Sequence, residues 1–268
     1  MRPTLDIVDA FAEEPFTGNP AAVCVLSQER SAAWMQSFAG EMNLSETAFL
    51  RRIGPDHFAL RWFTPLAEVD LCGHATLGSA HVLRERGLVS SGKEMAFDTK
   101  SGRLTVRPGQ DGALAMDFPE EAAEPAPAPG EVLEAVGVAP RWTGRNRFDW
   151  LLELESEDAV RAVAPDFRRL AEATRPDRGV IVTARSSSER SDFVSRYFAP
   201  YFGIDEDPVT GSTHCALAPF WAGRLNKTAM HARQLSRRGG AMTVRVAGGG
   251  RVELSGRAIT ITRGELLS

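Results

Sequence analysis

Apolar and polar residues alternate almost from the start of the chain. Leu5-Asp6-Ile7-Val8-Asp9-Ala10-Phe11 changes character about every second position, the period of a strand with one buried face. Residues 16–20, Phe-Thr-Gly-Asn-Pro, predict a turn, and the more continuous apolar run 21–26 predicts a second strand. The period then changes. Trp34, Met35, Phe38, Ala39 and Met42 recur at helical spacing, predicting a helix over 31–42. Strands are expected at 45–51 and 57–63. In the second half the pattern predicts helices at 132–136 and 166–174, strands at 150–154 and 179–183, and a polar loop at 185–191.

Two stretches of the chain resemble one another. Arg61-Trp62-Phe63-Thr64-Pro65 resembles Arg196-Tyr197-Phe198-Ala199-Pro200. Gly73-His74-Ala75-Thr76-Leu77 is followed 138 positions later by Gly211-Ser212-Thr213-His214-Cys215, since 211 − 73 = 138. Gly102-Arg103-Leu104-Thr105-Val106-Arg107 and Gly240-Ala241-Met242-Thr243-Val244-Arg245 keep the same offset, 240 − 102 = 138. A shared register over that distance is the mark of a duplicated unit. The chain therefore reads as two related α/β halves, each a mainly antiparallel sheet followed by a helix that starts near Gly73 or Gly211. The wide apolar faces of these helices (Leu77, Ala80, Val82, Leu83 and Ala216, Leu217, Phe220, Trp221) predict that each is enclosed by its own sheet. The Glu-, Ala- and Pro-rich stretch 120–130 reads as a semi-extended linker. It places the two halves at 1–119 and 120–257.

Composition narrows the function classes. Hydrophobic residues make up 43% and charged residues 25% of 268 residues, the balance of a folded globular chain. The net charge of −4, from 31 Lys and Arg against 35 Asp and Glu, gives no electrostatic footprint for nucleic acid. No run approaches the roughly 20 apolar residues of a membrane span. The three cysteines, Cys24, Cys72 and Cys215, form no C-x-x-C pair and no disulfide framework, so neither a zinc nor a redox motif is indicated. A cytoplasmic protein with reduced thiols is expected.

Candidate chemistry gathers at the matched glycines. A helix N-terminus carries unpaired N–H groups and partial positive charge, so Cys72-Gly73-His74 and Thr210-Gly211-Ser212 would each offer an anion-binding end. Each glycine would equally serve a tight turn. Alternation puts Glu46 on the face of Ala48 and Leu50, where desolvation suits a carboxylate to proton transfer; an exposed edge residue or a turn cap would fit the same local sequence. Asp207, just before the second helix start, reads on its own as a cap, and His74 as either a donor to substrate or a structural histidine. A Ser212–His214 nucleophilic pair is disfavoured, because positions two apart do not face each other on a helix. His74, His81 and His214 lack an acidic cluster at ligand spacing, so no metal site is expected. A two-cysteine racemase would need a partner for Cys72 at position 210, which is Thr210.

Four segments together resemble the phenazine-biosynthesis (PhzF-like) family: Gly18-Asn19-Pro20-Ala21-Ala22-Val23, residues 42–49 (Met-Asn-Leu-Ser-Glu-Thr-Ala-Phe), residues 70–76 (Asp-Leu-Cys-Gly-His-Ala-Thr) and residues 206–212 (Glu-Asp-Pro-Val-Thr-Gly-Ser). They occur in the family's order over most of the chain. Residues 196–200 and Ser236-Arg237-Arg238-Gly239-Gly240 resemble most the branch that contains the animal phenazine-biosynthesis-like domain protein. The resemblance implies the diaminopimelate-epimerase-like fold, two pseudo-symmetric domains each with a sheet wrapped around a central helix, a site in the cleft, and a C-terminal strand over 258–268 that returns to the first domain. It places the family's catalytic Glu on Glu46, and its supporting residues on His74, Asp207 and Ser212. It implies proton transfer on a small acid without metal or organic cofactor.

The expected function is thus a cofactor-independent isomerase acting on a small carboxylate-bearing molecule. Glu46, Asp207 and His74 are the catalytic candidates, and Ser212, Gly73, Gly211, Thr210 and Asn19 the substrate-binding ones. No nucleic-acid or membrane partner is expected, and a homodimer is the expected assembly. The alternatives are an amino-acid racemase or epimerase, disfavoured by Thr210, and a binding protein that retains the pocket without catalysis.

Overall fold

The computed structural model of the chain describes residues 3–175 and 179–267. The chain divides into two compact units, Met1–Asp117 with Leu254–Ser268, and Phe118–Glu253.

The first unit contains β1 (Thr4–Ala10), β2 (Asn19–Leu26), α1 (Ala32–Met42), β3 (Glu46–Gly54), β4 (His57–Phe63), β5 (Glu68–Val69), α2 (Gly73–Glu85), β6 (Met95–Thr99) and β7 (Gly102–Pro108). The strand β8 (Leu114–Pro119) carries the chain into the second unit. That unit holds β9 (Glu124–Pro125), α3 (Gly130–Val136), β10 (Trp142–Arg145), β11 (Asp149–Glu153), α4 (Glu157–Ala162), α5 (Phe167–Ala173), β12 (Gly179–Arg185), β13 (Phe193–Phe198), α6 (Gly211–Leu225), β14 (Ala229–Gln234) and β15 (Gly240–Gly248). The chain returns to the first unit along β16 (Arg251–Gly256) and ends in β17 (Ala258–Glu265).

The duplication read from residue identities is repeated in the hydrogen-bond ladders. In the first unit β2–β3 is parallel, β3–β4 antiparallel, β4–β6 parallel and β6–β7 antiparallel. In the second, β11–β12, β12–β13, β13–β14 and β14–β15 follow the same alternation. The three matched segments occupy equivalent places: the ends of β4 and β13, the starts of α2 and α6, and β7 and β15. Each paired helix is enclosed within its own unit. Every residue of α2 from His74 to Leu83 is buried, and the helix packs on β1, β2, β3 and β17. In the second unit α6 packs on β14 and β15, and Trp221 donates from Nε1 to Thr183 Oγ1 of β12 at 2.9 Å.

Burial of β3 shows why alternation alone did not single out one face. Thr47, Ala48, Phe49 and Leu50 are all buried. Phe49 packs with Met35 and Ala39 of α1, while α2 covers the sheet from the other side. Glu46 shares a face with Ala48 and Leu50, and its side chain meets His74 of α2.

Two local readings are corrected. Asn19 and Pro20 belong to β2 and not to a turn, because Gly18 turns the chain one residue earlier with φ +71°. The stretch 120–130 is not a bare linker: Glu124 and Pro125 pair with Arg145 and Gly144 of β10, and Ala126 and Ala128 pack on the core of the second unit. Among the described residues, no helix is long and apolar enough to cross a membrane.

Candidate active site

The site in the first unit starts from a glycine. A Cβ on Gly18 would sit 2.3 Å from the backbone oxygen of Ala10, and its φ of +71° is one that side chains rarely adopt. This turn delivers Asn19, fully buried, to the first position of β2. Its Nδ2 lies 3.2 Å from Nδ1 of His74, the second residue of α2. An asparagine amide suits either protonation state of that ring: the NH2 donates to a bare Nδ1, and the carbonyl accepts from a protonated one once the amide turns over.

On the other side of the ring, Nε2 lies 3.1 Å from Glu46 Oε2. Both atoms are buried and neither has an aligned hydrogen-bond partner, so the contact is a close charge pairing and not a well-directed bond. The side chains are 7% and 14% exposed, which leaves Glu46 a narrow opening to a ligand. Cys72 completes the group, with Sγ 3.6 Å from His74 Nδ1. Burial works against a charged His74, but the adjacent Cys72 and Glu46 outweigh it and hold the ring's protonation well above the usual histidine range. Burial, reinforced by Glu46, pushes the Cys72 thiol up, with His74 partly offsetting the rise.

The second unit builds its counterpart around Asp207 and Thr210, both 8% exposed. The N-cap of α6 is Thr210, which makes no side-chain cap bond and whose hydroxyl donates to Asp207 Oδ2 in a short hydrogen bond. The same holds for α2, where Cys72 is the N-cap and makes no side-chain cap bond. Gly73 and Gly211 are each the first residue of their helices, so neither serves a left-handed turn. Ser212 follows on the first turn of α6 with an exposed side chain.

Gln234, at the end of β14 and 2% exposed, holds this loop and was missed in the sequence. Its Oε1 accepts from the Thr210 amide at 2.9 Å, while Nε2 donates to Asp207 O at 2.8 Å and to Thr210 Oγ1 at 3.2 Å. Ser236 adds a bond from Oγ to Pro208 O at 2.7 Å. A polar amide inside a buried strand was the available signal, since it is stable there only when its groups are used. His214 is structural: Nδ1 donates to Thr210 O at 2.8 Å, and burial drops its pKa to about 4 against the opposing pull of that bond. His81 likewise sits in a packed position, with Nε2 3.1 Å from Thr260 Oγ1.

Each helix start is also anchored by a matched ion pair. Arg61 of β4 clasps Glu68 through Nε at 2.7 Å and Nη2 at 2.8 Å, and Arg196 of β13 clasps Glu206 at 2.7 and 3.1 Å. Each glutamate lies five residues before its helix, 73 − 68 and 211 − 206. The Arg61 bonds hold Glu68 down at about 2. The structure thus gathers Glu46, His74, Cys72 and Asn19 around the start of α2, and Asp207, Thr210 and Gln234 around the start of α6.

Known proteins carry the same framework. Residues 8–264 match the profile of the PhzC-PhzF family, described as phenazine biosynthesis-like protein. An uncharacterised isomerase of Halalkalibacterium halodurans is 47% identical over 268 residues, covering 100% of this chain and 99% of that protein. The human phenazine biosynthesis-like domain-containing protein is 38% identical over 289 residues, with 99% of each chain covered. The crystal structure of a PhzF-family phenazine biosynthesis protein from Enterococcus faecalis superposes with TM-score 0.93 at 43% identity over 100% of both chains. A hydroxyproline epimerase from Agrobacterium vitis shares the fold at TM-score 0.62 and 13% identity, covering 99% of this chain and 94% of that one.

Proposed function

This chain belongs to the PhzC-PhzF family of phenazine biosynthesis-like proteins, and we propose that within it the chain is a cofactor-independent isomerase that uses Glu46 as its proton carrier. The observation that carries the proposal is the mostly buried Glu46–His74 contact at 3.1 Å at the start of α2. Relatives named as isomerases support the reaction class. The geometry supports the roles. A carboxylate with one oxygen held against an imidazole keeps the rest of its charge for a carbon acid, and the imidazole steadies that charge as the proton arrives and leaves.

In this reading Glu46 takes a proton from an activated carbon of a small carboxylic acid and returns it at another position on the same face. His74, fixed by Asn19, orients Glu46. The amides at the start of α2, free of any side-chain cap, offer donors to the substrate carboxylate. The proposal extends to the second unit, where Asp207, held by Thr210, manages a second proton and Ser212 and the Gly211 amide bind polar groups of the substrate. Epimerisation by two thiols finds less support: the position matched to Cys72 is Thr210, and its hydroxyl is engaged by Asp207 and Gln234.

Proton exchange tests this without knowledge of the product. Small cyclic acids and amino acids are incubated with the protein in deuterated water and followed by NMR for loss of a C–H signal. Glu46→Gln keeps the shape and removes the carrier. Exchange is expected to fall by about 10²- to 10⁴-fold with the fold retained by circular dichroism. A Glu46→Gln protein that exchanges at the wild-type rate removes Glu46 from the mechanism.

A further inference from the structure

Strand alternation aims one polar side chain at the loop before α6. In Ala229-Met230-His231-Ala232-Arg233-Gln234 the even-numbered positions face inward, so Gln234 follows Met230 and Ala232 into the interior of the second unit. A buried amide must use its groups, and Gln234 spends its oxygen and both N–H groups on two residues, Asp207 and Thr210. The direction of these bonds is fixed by a group that has no choice. The backbone N–H of Thr210 can only donate, so the amide must turn Oε1 towards it, at 2.9 Å. Nε2 then faces the other way, and its two protons go to the carbonyl oxygen of Asp207 and to Thr210 Oγ1. Having accepted there, the Thr210 hydroxyl sends its own proton to Asp207 Oδ2. The backbone of Thr210 is held as well, since its carbonyl accepts from Thr213 Oγ1 at 2.9 Å and from His214 Nδ1 at 2.8 Å. Polarity thus runs in one sense, from the start of α6 through Gln234 and Thr210 to the Asp207 carboxylate. A carboxylate that receives a donor in this way is favoured in its ionised form.

The repeated fold does not require this relay. Counting back 138 positions, 207 and 234 fall on Val69 and Ala96, whose side chains can neither donate nor accept. In the ladders Gln234 lies opposite Gly240 much as Thr99 lies opposite Gly102, and Thr99 Oγ1 donates to Gly102 O inside its own hairpin. Among the described residues the first unit therefore has no counterpart, although its α2 starts at the matched position. The carboxylate there comes from Glu46 of a different strand.

We propose that Gln234 is a positioning residue which, acting through Thr210, holds Asp207 as an ionised carboxylate that enters the isomerisation as a proton acceptor. Asp207 takes one proton from the substrate and returns one before the product leaves, so charge and proton count are restored at each turnover. Thr210 is not a ligand of the substrate in this scheme, because its hydroxyl proton is already committed to Asp207. The holding of Asp207 stands on the hydrogen bonds alone; its use in the reaction rests on the isomerase reading.

The test reads the Asp207 carboxyl directly, in the full chain and without substrate. Protein labelled with carboxyl-13C aspartate is titrated by NMR, and Asp207→Asn assigns the signal. Gln234→Met keeps the length of the side chain and removes the amide. Thr210→Val keeps the shape and removes the hydroxyl, whereas Thr210→Ser keeps the hydroxyl. The Asp207 midpoint is expected to rise by about one pH unit in Gln234→Met and in Thr210→Val, the scale of a hydrogen bond to a charged group, and to stay at the wild-type value in Thr210→Ser. Gln234→Met combined with Thr210→Val is expected to rise no further than Thr210→Val, since both changes act through one hydroxyl. If Gln234→Met does not fold, Gln234→Glu takes its place: it keeps the acceptor for the Thr210 N–H and loses the donor to Thr210 Oγ1, so its effect should likewise shrink beside Thr210→Val. A midpoint unmoved by Thr210→Val or by the Gln234 variant, a Thr210→Ser midpoint as high as that of Thr210→Val, or fully additive effects overturns the relay. Once an exchanging acid is found, the acid limb of its exchange rate should move with the Asp207 midpoint across the same variants. An acid limb that stays in place overturns only the use of Asp207 in the reaction. Exchange on no acid sinks the isomerase reading, and that use with it, and leaves the relay standing.

Discussion

Two histidines at comparable depth in the two paired helices have opposite electrostatic fates. His74 faces a carboxylate and a thiol, and its protonation is favoured. His214 faces the Thr210 carbonyl and, at 3.4 Å, the Thr213 hydroxyl through Nδ1, its Nε2 has no partner, and burial drops its pKa to about 4 from 6.5. In the unfolded chain His214 takes up a proton as pH falls below about 6.5, while in the fold it stays neutral until about 4. Folding therefore loses stability across that window and nothing further below it, by about 3 kcal/mol from this residue. His214→Asn keeps a donor near Nδ1 and removes the titration. Urea unfolding at pH 7 and pH 4.5 is expected to show a smaller acid loss in the variant than in the wild type. Equal losses in the two proteins would mean that His214 is hydrated or charged in the fold. Single residues of the candidate site were legible unevenly. Glu46 and His74 stood in motifs, and the family resemblance put them in one site, but no local pattern stated their contact, since one is on a strand and the other on a helix 28 positions later, 74 − 46. The contact of Asn19 with His74 had no local signal either, since the two are 55 positions apart. Gln234 carried no local signal beyond its polarity, because its three bonds are made to a loop more than 20 residues away in sequence.

Elements were easier to read than contacts, because periodicity is local and pairing is not. The helix expected at 31–42 is α1, capped by Ser31 and ended by Asn43 in a left-handed conformation. The starts at Gly73 and Gly211 fall on the first residues of α2 and α6. The parallel pairs β2–β3 and β4–β6 were not legible, since nothing in an apolar run states which neighbour it will take. The Arg-x-x-x-Pro matches at Arg61 and Arg196 recorded the repeat but not its purpose. Each arginine reaches the glutamate that precedes a helix of the site, and Arg196 also donates from Nη1 to the carbonyls of Val160, Arg161 and Val163. The Arg196 and Glu206 side chains are 12% and 19% exposed, so the pair is shielded well enough to matter. Arg196→Ala is expected to cost about 2–4 kcal/mol in denaturant unfolding, because it strands Glu206 and those carbonyls. Arg196→Lys should recover little of this, since an ammonium cannot make the paired bonds of a guanidinium. A midpoint within error of wild type for Arg196→Ala would show that the loop before α6 holds without its clamp.

At the scale of the whole chain, the first unit is assembled from both ends of the sequence. The final strand and its return to the first unit were expected from the family resemblance and not from any pattern in the residues. The observed boundary between the units falls at Asp117 and Phe118, within β8, and the return begins at Leu254, within β16. Strands that run across a boundary have no composition shift to betray it, which is why the Pro- and Ala-rich stretch a few residues later drew the eye instead. The return is deeply built in. β17 pairs antiparallel with β1 from Thr4↔Glu265 to Ala10↔Ala258, and Leu266 joins the cluster of Met35, Phe49 and Phe63. Arg263 reaches the fully buried Asp6 at 3.0 Å, beside Arg86 at 2.8 Å on its other oxygen. Because β1 also packs on α2, loss of β17 would expose a strand edge and one side of the helix that carries His74. A chain ending at Gly256 is therefore expected to lose near-ultraviolet circular dichroism and cooperative unfolding, and limited proteolysis should release peptides from residues 3–117 first. Replacing only Arg263 by Ala should instead lower the midpoint modestly with the spectrum intact, since Arg86 still pairs Asp6. If the truncated chain melts at the wild-type temperature with native protease resistance, the C-terminal strand is an accessory to the first unit and not one of its structural members.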